Sequence, residues 1–206
     1  TLYAGVTDRI WELRRQAPGE LVIVSSMTGP KYGYYNMGLD PGRHRLYCPD
    51  TFLDTTYVID TAARKVVKTL REGRVPFSAA MDHERGLAFI SNVMSHDLSI
   101  FDVASDTFVA SVELRPHGAF DIALDASSPA AYVTSGFYAG GIMAWDRASA
   151  RRTAFFPLED QPDAPTAAVL FPSLGKLFFA GTPDGVYGVG RLALPSGEAS
   201  QLFLYG

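Results

Sequence analysis

A unit of roughly 43 residues recurs along this chain, and that recurrence narrows the possible folds more than any other feature of the sequence. Repeats of such a period belong to solenoids, propellers and arrays, whose units bury their apolar faces only against one another. The first anchor is a Leu-aromatic pair, Leu2-Tyr3, Leu46-Tyr47 and Leu177-Phe178, with looser copies at Leu87-Ala88-Phe89 and Ala131-Tyr132-Val133. Successive copies lie 44, 41, 44 and 46 residues apart. The second anchor is an apolar residue followed by an acid: Trp11-Glu12, Ile59-Asp60, Phe101-Asp102 and Trp145-Asp146, spaced 48, 42 and 44. Two columns that drift together define units at about 1–26, 27–70, 71–114, 115–158 and 159–206, with the fifth breaking the second column at Gly190-Arg191.

Each unit reads as four strands. The first is short and built of small residues, as in Ser78-Ala79-Ala80-Met81 and Asp121-Ile122-Ala123-Leu124. A turn such as Asp82-His83-Glu84-Arg85-Gly86 follows, then the Leu-aromatic strand. The third strand closes on the acid of the second anchor, where an Asx-type turn forms. The fourth, as in Lys65-Val66-Val67-Lys68-Thr69-Leu70, alternates with period two and suits an outer strand with one wet face. No segment keeps an i, i+3, i+4, i+7 pattern beyond about two turns, so the class is all-β. The column Gly38, Ala80, Ala123, Val169 is the smallest in the repeat. Small side chains belong where strands crowd toward an axis, which favours a β-propeller over a sandwich or solenoid. That column is expected to face the central channel.

At 206 residues the chain buries a core without disulfides or metals, and its one cysteine, Cys48, forms no intrachain bridge. A net charge of −4 argues against nucleic acid and against anionic membrane surfaces as partners. No apolar run is long enough to span a bilayer, and no charged-then-apolar leader opens the sequence at Thr1.

Thr55-Thr56-Tyr57-Val58-Ile59-Asp60-Thr61-Ala62 through Lys65 to Leu70 resembles the YVTN-type propeller repeat, as do Leu98 to Asp102 and Ala131 to Ser135. The match covers residues 31 to 158 and weakens in the first and last units. The resemblance implies four-stranded antiparallel blades, and it places the chain among bacterial and archaeal surface-layer and periplasmic proteins, with blades similar to amine dehydrogenase heavy chains. A periplasmic or secreted location follows from it, while the lone cysteine and the lack of a visible leader also fit the cytoplasm. The first unit opens on its second strand. That predicts either one part of a larger propeller, seven-bladed in many relatives, associated with an N-terminal portion or a second chain, or a five-bladed ring.

Inter-blade links and the loops joining second and third strands gather at one face, the channel mouth, which is the expected binding site. His44 and His83 fall in turns of the opposite face. His96 and His117 fall at the mouth with Asp97 and Asp121, beside Asp50 and Asp54, and form the candidate acid–base or divalent-metal set. No spacing such as H-x-H or H-E-x-x-H supports a metal, no other cofactor is evident, and the competing reading makes these residues loop caps. Asn36, Ser78 and Asp121 stand two residues before the small column and, if that column faces the channel, converge on it; the competing reading has them bond neighbouring backbone or channel water. Tyr34, Tyr35, Phe137 and Tyr138 are candidate ligand contacts, or packed lids. Trp11 and Trp145 are expected in the inter-blade core, and Cys48 as an inert buried thiol.

Three functions fit. The first is a recognition propeller binding a small molecule or protein at its mouth. The second is a lyase, isomerase or lactone hydrolase acting through His96 or His117 with Asp97, Asp121 or a metal. The third is a subunit of a redox assembly resembling amine dehydrogenase heavy chains.

Overall fold

The alternating apolar runs and their Asp-, Gly- and Pro-bearing turns become nineteen short strands in the computed structural model, which describes residues 1–6, 8–29, 35–115, 118–136, 140–158, 165–181 and 187–205. The first sheet holds β1 (Leu2–Val6), β2 (Arg9–Ala17) and β3 (Glu20–Thr28). The second holds β4 (Gly38–Asp40), β5 (Arg45–Asp50), β6 (Thr55–Asp60) and β7 (Lys65–Leu70). The third holds β8 (Pro76–Asp82), β9 (Leu87–Asn92), β10 (Asp97–Asp102) and β11 (Thr107–Glu113). The fourth holds β12 (Ala119–Leu124), β13 (Ala130–Ser135), β14 (Gly141–Asp146) and β15 (Arg151–Pro157). The fifth holds β16 (Pro165–Phe171), β17 (Lys176–Gly181), β18 (Tyr187–Ala193) and β19 (Ala199–Tyr205). Every sheet is an antiparallel meander in chain order, and the five are the blades of a β-propeller. Among the described residues the one helical segment is a 3₁₀ turn, Pro172–Leu174.

One hairpin chemistry builds most of the blade corners. Asp40, Asp50 and Asp60 each accept the backbone N–H groups of the residues two and three further on. Asp82, Asp102 and Asp146 accept the one three further on. The residue four after each Asp then takes a left-handed backbone: His44, Asp54, Arg64, Gly86, Asp106 and Ala150, with φ between 47° and 65°. The Asx turn supplies the local acceptor, so the left-handed slot tolerates many residue types. His44 is in such a slot and His83 one place after Asp82, both exposed. The Ala63 N–H, the Ser105 hydroxyl and the Ser149 N–H hold Asp60, Asp102 and Asp146 below the usual carboxylate range. Their contribution to stability is therefore present at neutral pH and lost as pH falls through that range.

The core lies between blades rather than within them. Ile10 and Met27 of the first sheet pack on Leu46, Cys48 and Ile59 of the second. Tyr47, Val58 and Leu70 pack on Ala79, Ala88, Ile90 and Phe101 of the third. Phe89, Leu98 and Ile100 meet Ile122, Val133, Met143 and Trp145 of the fourth, with Phe89 edge-on to Trp145 at 5.1 Å between ring centroids. Ile142 and Ala123 meet Leu177, Phe179 and Leu192 of the fifth. Neighbouring residues of one strand thus serve opposite interfaces, which is why the central strands are apolar on both faces.

The second-anchor column shows this best. Ile59, Phe101 and Trp145, at 1%, 1% and 0% exposure, each pack on the preceding sheet. Trp11 is only partly buried, which corrects the expectation that it belongs to the inter-blade core. Ile10 takes the side facing the second sheet, so alternation turns Trp11 to the opposite face, beside Leu2, Leu13 and Ile23. That face is apolar and open, with Leu2 and Ile23 more than half exposed. The far face of the fifth sheet is similar, with Val169 and Phe171 exposed.

The small column also needs a correction. It faces the next blade, not the channel. A Cβ on Gly38 would lie 2.9 Å from Met81 Sδ and 3.0 Å from the Ala79 carbonyl oxygen. Ala80 packs into the third–fourth interface and Ala123 into the fourth–fifth. Wedge-shaped sheets crowd face to face near their inner edges, so the taper is felt across the interface. Gly38→Ala is expected to cost roughly 1–3 kcal/mol by overpacking, read as a shift in urea midpoint at unchanged m-value.

Candidate functional site

Pairing of Pro76 with Asn92, Asn92 with Asp97, and Ser135 with both Ala119 and Gly141 puts the inner-strand starts and the second-to-third-strand hairpins on one face. The inner strands do not begin regularly there. β8, β12 and β16 each carry an irregularity in register, between Pro76 and Ser78, Ala119 and Ile122, and Pro165 and Ala167. A bulge inserts an extra residue, bends the strand and re-aims side chains. Phe77, Phe120, Asp121 and Thr166 fall within these irregularities.

The first column is polar: Asn36, Ser78 and Asp121. Asp121 is its hub. Its Oδ1 accepts Asn36 Nδ2 at 2.8 Å, Ser78 Oγ at 2.8 Å and the Ile122 N–H at 2.9 Å. Its Oδ2 accepts the Ala168 N–H at 2.8 Å. Four donors from the second to fifth blades therefore meet on one carboxylate that is 6% exposed. Thr134 Oγ1 accepts the Asp121 N–H at 2.9 Å, and Ser91 joins the Ser78 N–H to the Phe120 carbonyl. A buried charge held by this many donors ties the inner edges together.

The second column lies one residue earlier: Tyr35, Phe77, Phe120 and Thr166. Tyr35 stacks on Phe77 at 4.2 Å between centroids and 14° between planes, and Phe77 meets Phe120 edge-on at 5.1 Å. The aromatic series stops at the fifth blade, where Thr166 stands in the column. A cavity of about 400 Å³ opens at this break, lined by Tyr35, Asn36, Phe77, Thr166 and Ala167. Tyr35 is 54% exposed at its rim. Further out on the same face, the hairpin tips carry the exposed side chains of Phe52, Leu53 and Met94.

The described acid–base candidates have different hydrogen-bond partners. Asp97 accepts Asn92 Nδ2 at 3.0 Å and Ser95 Oγ at 2.9 Å, which locks the β9–β10 hairpin. His96 occupies that hairpin's left-handed slot at φ 57°, and its carbonyl accepts the Leu114 N–H. Its Nδ1 is buried without a hydrogen bond. No hydrogen bond or ion pair of the described residues links His96 or Asp97 to Asp121. Asp54 accepts the Val75 N–H of the next inter-blade link. Among the described residues no three His, Cys, Asp or Glu side chains are grouped to hold a metal ion. His117, Tyr34, Phe137 and Tyr138 lie outside the described residues. Cys48 is fully buried beside Met37, and burial raises its thiol far above the ordinary range.

Asp50 offers a titration test. It is fully buried, its Oδ1 accepts the Phe52 and Leu53 N–H groups, and its Oδ2 has no partner. Burial raises its pKa above the usual carboxylate value. A raised folded-state pKa means the charged form weakens the fold as pH rises through the carboxylate range. Blade three carries Asn92 at the equivalent place. Asp50→Asn is therefore expected to stabilise the protein at pH 7 by roughly 1 kcal/mol. In urea titrations at falling pH the advantage should vanish as the aspartate protonates.

No family model matches the chain, so the YVTN-type repeat family is not established for it, and no curated protein matches it. Solved structures do. A chain of the Kuenenia stuttgartiensis hydrazine synthase superposes with a TM-score of 0.78 at 12% identity, over 88% of this chain and 56% of that one. U3-55K superposes with a TM-score of 0.71 at 12% identity, over 86% and 54%. At this identity the likeness is one of fold. The chain spans about half the length of these neighbours.

Sequence reasoning on the polar column reached Asn36, Ser78 and Asp121 but passed over Phe77, Phe120 and Thr134. The signal for the first two was present. Tyr35, Phe77, Phe120 and Thr166 form a repeat column directly before the polar one.

Proposed function

We propose that this protein is a recognition propeller without chemistry of its own, binding a small molecule at its axial mouth. The observation that carries this reading is the cleft between the Tyr35–Phe77 stack and Thr166–Ala167, about 400 Å³. Ligand sites are concave, mostly apolar and furnished with a few fixed polar groups, and 400 Å³ falls in their size range of roughly 300–1,000 Å³. A half-exposed tyrosine held flat by a second ring is a rigid contact that loses little entropy on binding. The enzyme reading draws less support. Asp121 accepts four donors across its two oxygens, which commits that carboxylate to holding the inner edges, and Asp97 accepts two donors on Oδ1 within its own hairpin. The redox-subunit reading rests on the family resemblance alone. The open apolar faces around Trp11 and around Phe171 support association with further propeller sheet, and the sedimentation behaviour of the purified chain tests it.

The test of recognition is a screen of neutral ring-containing fragments by saturation-transfer NMR. Hits are expected to lose at least tenfold in affinity in Tyr35→Ala and Phe77→Ala, with the far-ultraviolet circular dichroism unchanged. Hits that bind both variants as well as the wild type would move the site elsewhere.

A further inference from the structure

We infer that the axial cleft takes a neutral sugar ring, the terminal pyranose of a glycan or glycoside. This deepens the recognition reading above and rests on it. The two walls of the cleft differ chemically. One is aromatic, Tyr35 laid on Phe77. The other is small and hydroxylated, Thr166 and Ala167 of the fifth blade. A flat aromatic ligand would be served by apolar surface on both sides. A pyranose has one face of C–H groups and a rim of hydroxyls, so it needs one aromatic wall and hydrogen-bonding groups elsewhere.

Those groups are in place. Asn36 Nδ2 is anchored on Asp121, which fixes the amide plane. The Asn36 Oδ1 and the Thr166 Oγ1 make no hydrogen bond among the described residues. An acceptor and a hydroxyl, able both to donate and to accept, therefore border the cleft. Among the described residues, none that lines it is charged. The Asp121 carboxylate, to which the lining residue Asn36 is bonded, is buried and accepts from the inner strands. The described lining thus offers no counter-charge to an anionic or cationic ligand, which favours a neutral sugar.

The experiment titrates the 206-residue chain with methyl glycosides of glucose, galactose and N-acetylglucosamine, with methyl glucuronide and indole as comparison probes, read by chemical-shift perturbation. A single ring is expected to bind at about millimolar Kd, since it buries few atoms. Tyr35→Ala should weaken that glycoside at least tenfold and Thr166→Val about threefold, and glucuronide should bind more weakly than its neutral counterpart. Both positions are exposed, and the exposed outer-strand variant Phe108→Ala serves as the folded control. Indole binding that depends on Tyr35, without glycoside binding, overturns the sugar inference and leaves the recognition reading intact. Glycoside binding unchanged in Tyr35→Ala overturns the placement of the site. No binding of any probe at the cleft overturns both.

Discussion

Asp121→Ala is expected to be among the most damaging single substitutions in this protein. It deletes the acceptor for Asn36 Nδ2, Ser78 Oγ and the N–H groups of Ile122 and Ala168. A buried donor left without a partner costs roughly 1–3 kcal/mol, and the four share one site, so the losses do not simply add. A net loss of about 3–5 kcal/mol is expected. That is a large fraction of the ordinary stability of a domain, about 5–15 kcal/mol. Asp121→Asn keeps one oxygen for Asn36 and Ser78 but turns an N–H toward the Ala168 N–H, so it should recover about half the loss. The urea midpoints of the two variants check this. An Asp121→Ala variant within 1 kcal/mol of wild type would mean that the inner edges are held by packing alone, and that the carboxylate is available for other work.

The second large effect sits on the opposite face, between the third and fourth blades. Arg147 and Asp82 are both about 2% exposed at their side chains and form an ion pair. The guanidinium also donates to the carbonyls of Asp125, Ser128 and Pro129. Asp82 keeps a second cation, Arg85 at 3.2 Å, together with the Arg85 N–H. Breaking a buried pair by removing one partner typically costs about 3–5 kcal/mol, because the other charge is stranded. Arg147→Ala should fall near the lower end, since Arg85 still faces Asp82. Asp82→Ala should fall near the upper end, since the guanidinium then keeps only neutral carbonyls. The double variant is expected to lose clearly less than the sum of the two singles. Chemical denaturation of all four proteins closes the cycle, and strict additivity would show that the pair is not energetically coupled. Polar ties also cross the first–second and second–third interfaces. Arg64 reaches Glu12 at 3.5 Å, and the Tyr47 hydroxyl donates to Asp106.

These ties explain the uneven legibility of the molecule in its sequence. Trp145 and Trp11 occupy the same repeat column, yet one is fully buried and the other partly exposed. The column defines which way a side chain points relative to its own strand. Whether a neighbour stands there is decided by the packing of sheets. Gly38 is similar: its smallness was legible, but its partner proved to be Met81 and Ala79 of the next blade rather than an open channel. His96 and Asp97 carry side chains suited to catalysis, yet both sit in a hairpin that repeats at several corners with other residues in the same slots.

By itself the sequence determined the local and periodic features: strand alternation, the Asp-headed hairpins, the five-fold repeat and hence the propeller. Each of these depends on residues close together in the chain, where backbone sterics and side-chain period leave few choices. Only the tertiary structure decided that Asn36 would meet Asp121, 85 residues away, and that Tyr35 would stack on Phe77 beside Thr166. Those meetings require strand bulges and the closing of blades toward a shared axis, and both arise from the mutual packing of sheets, which no local run of residues encodes.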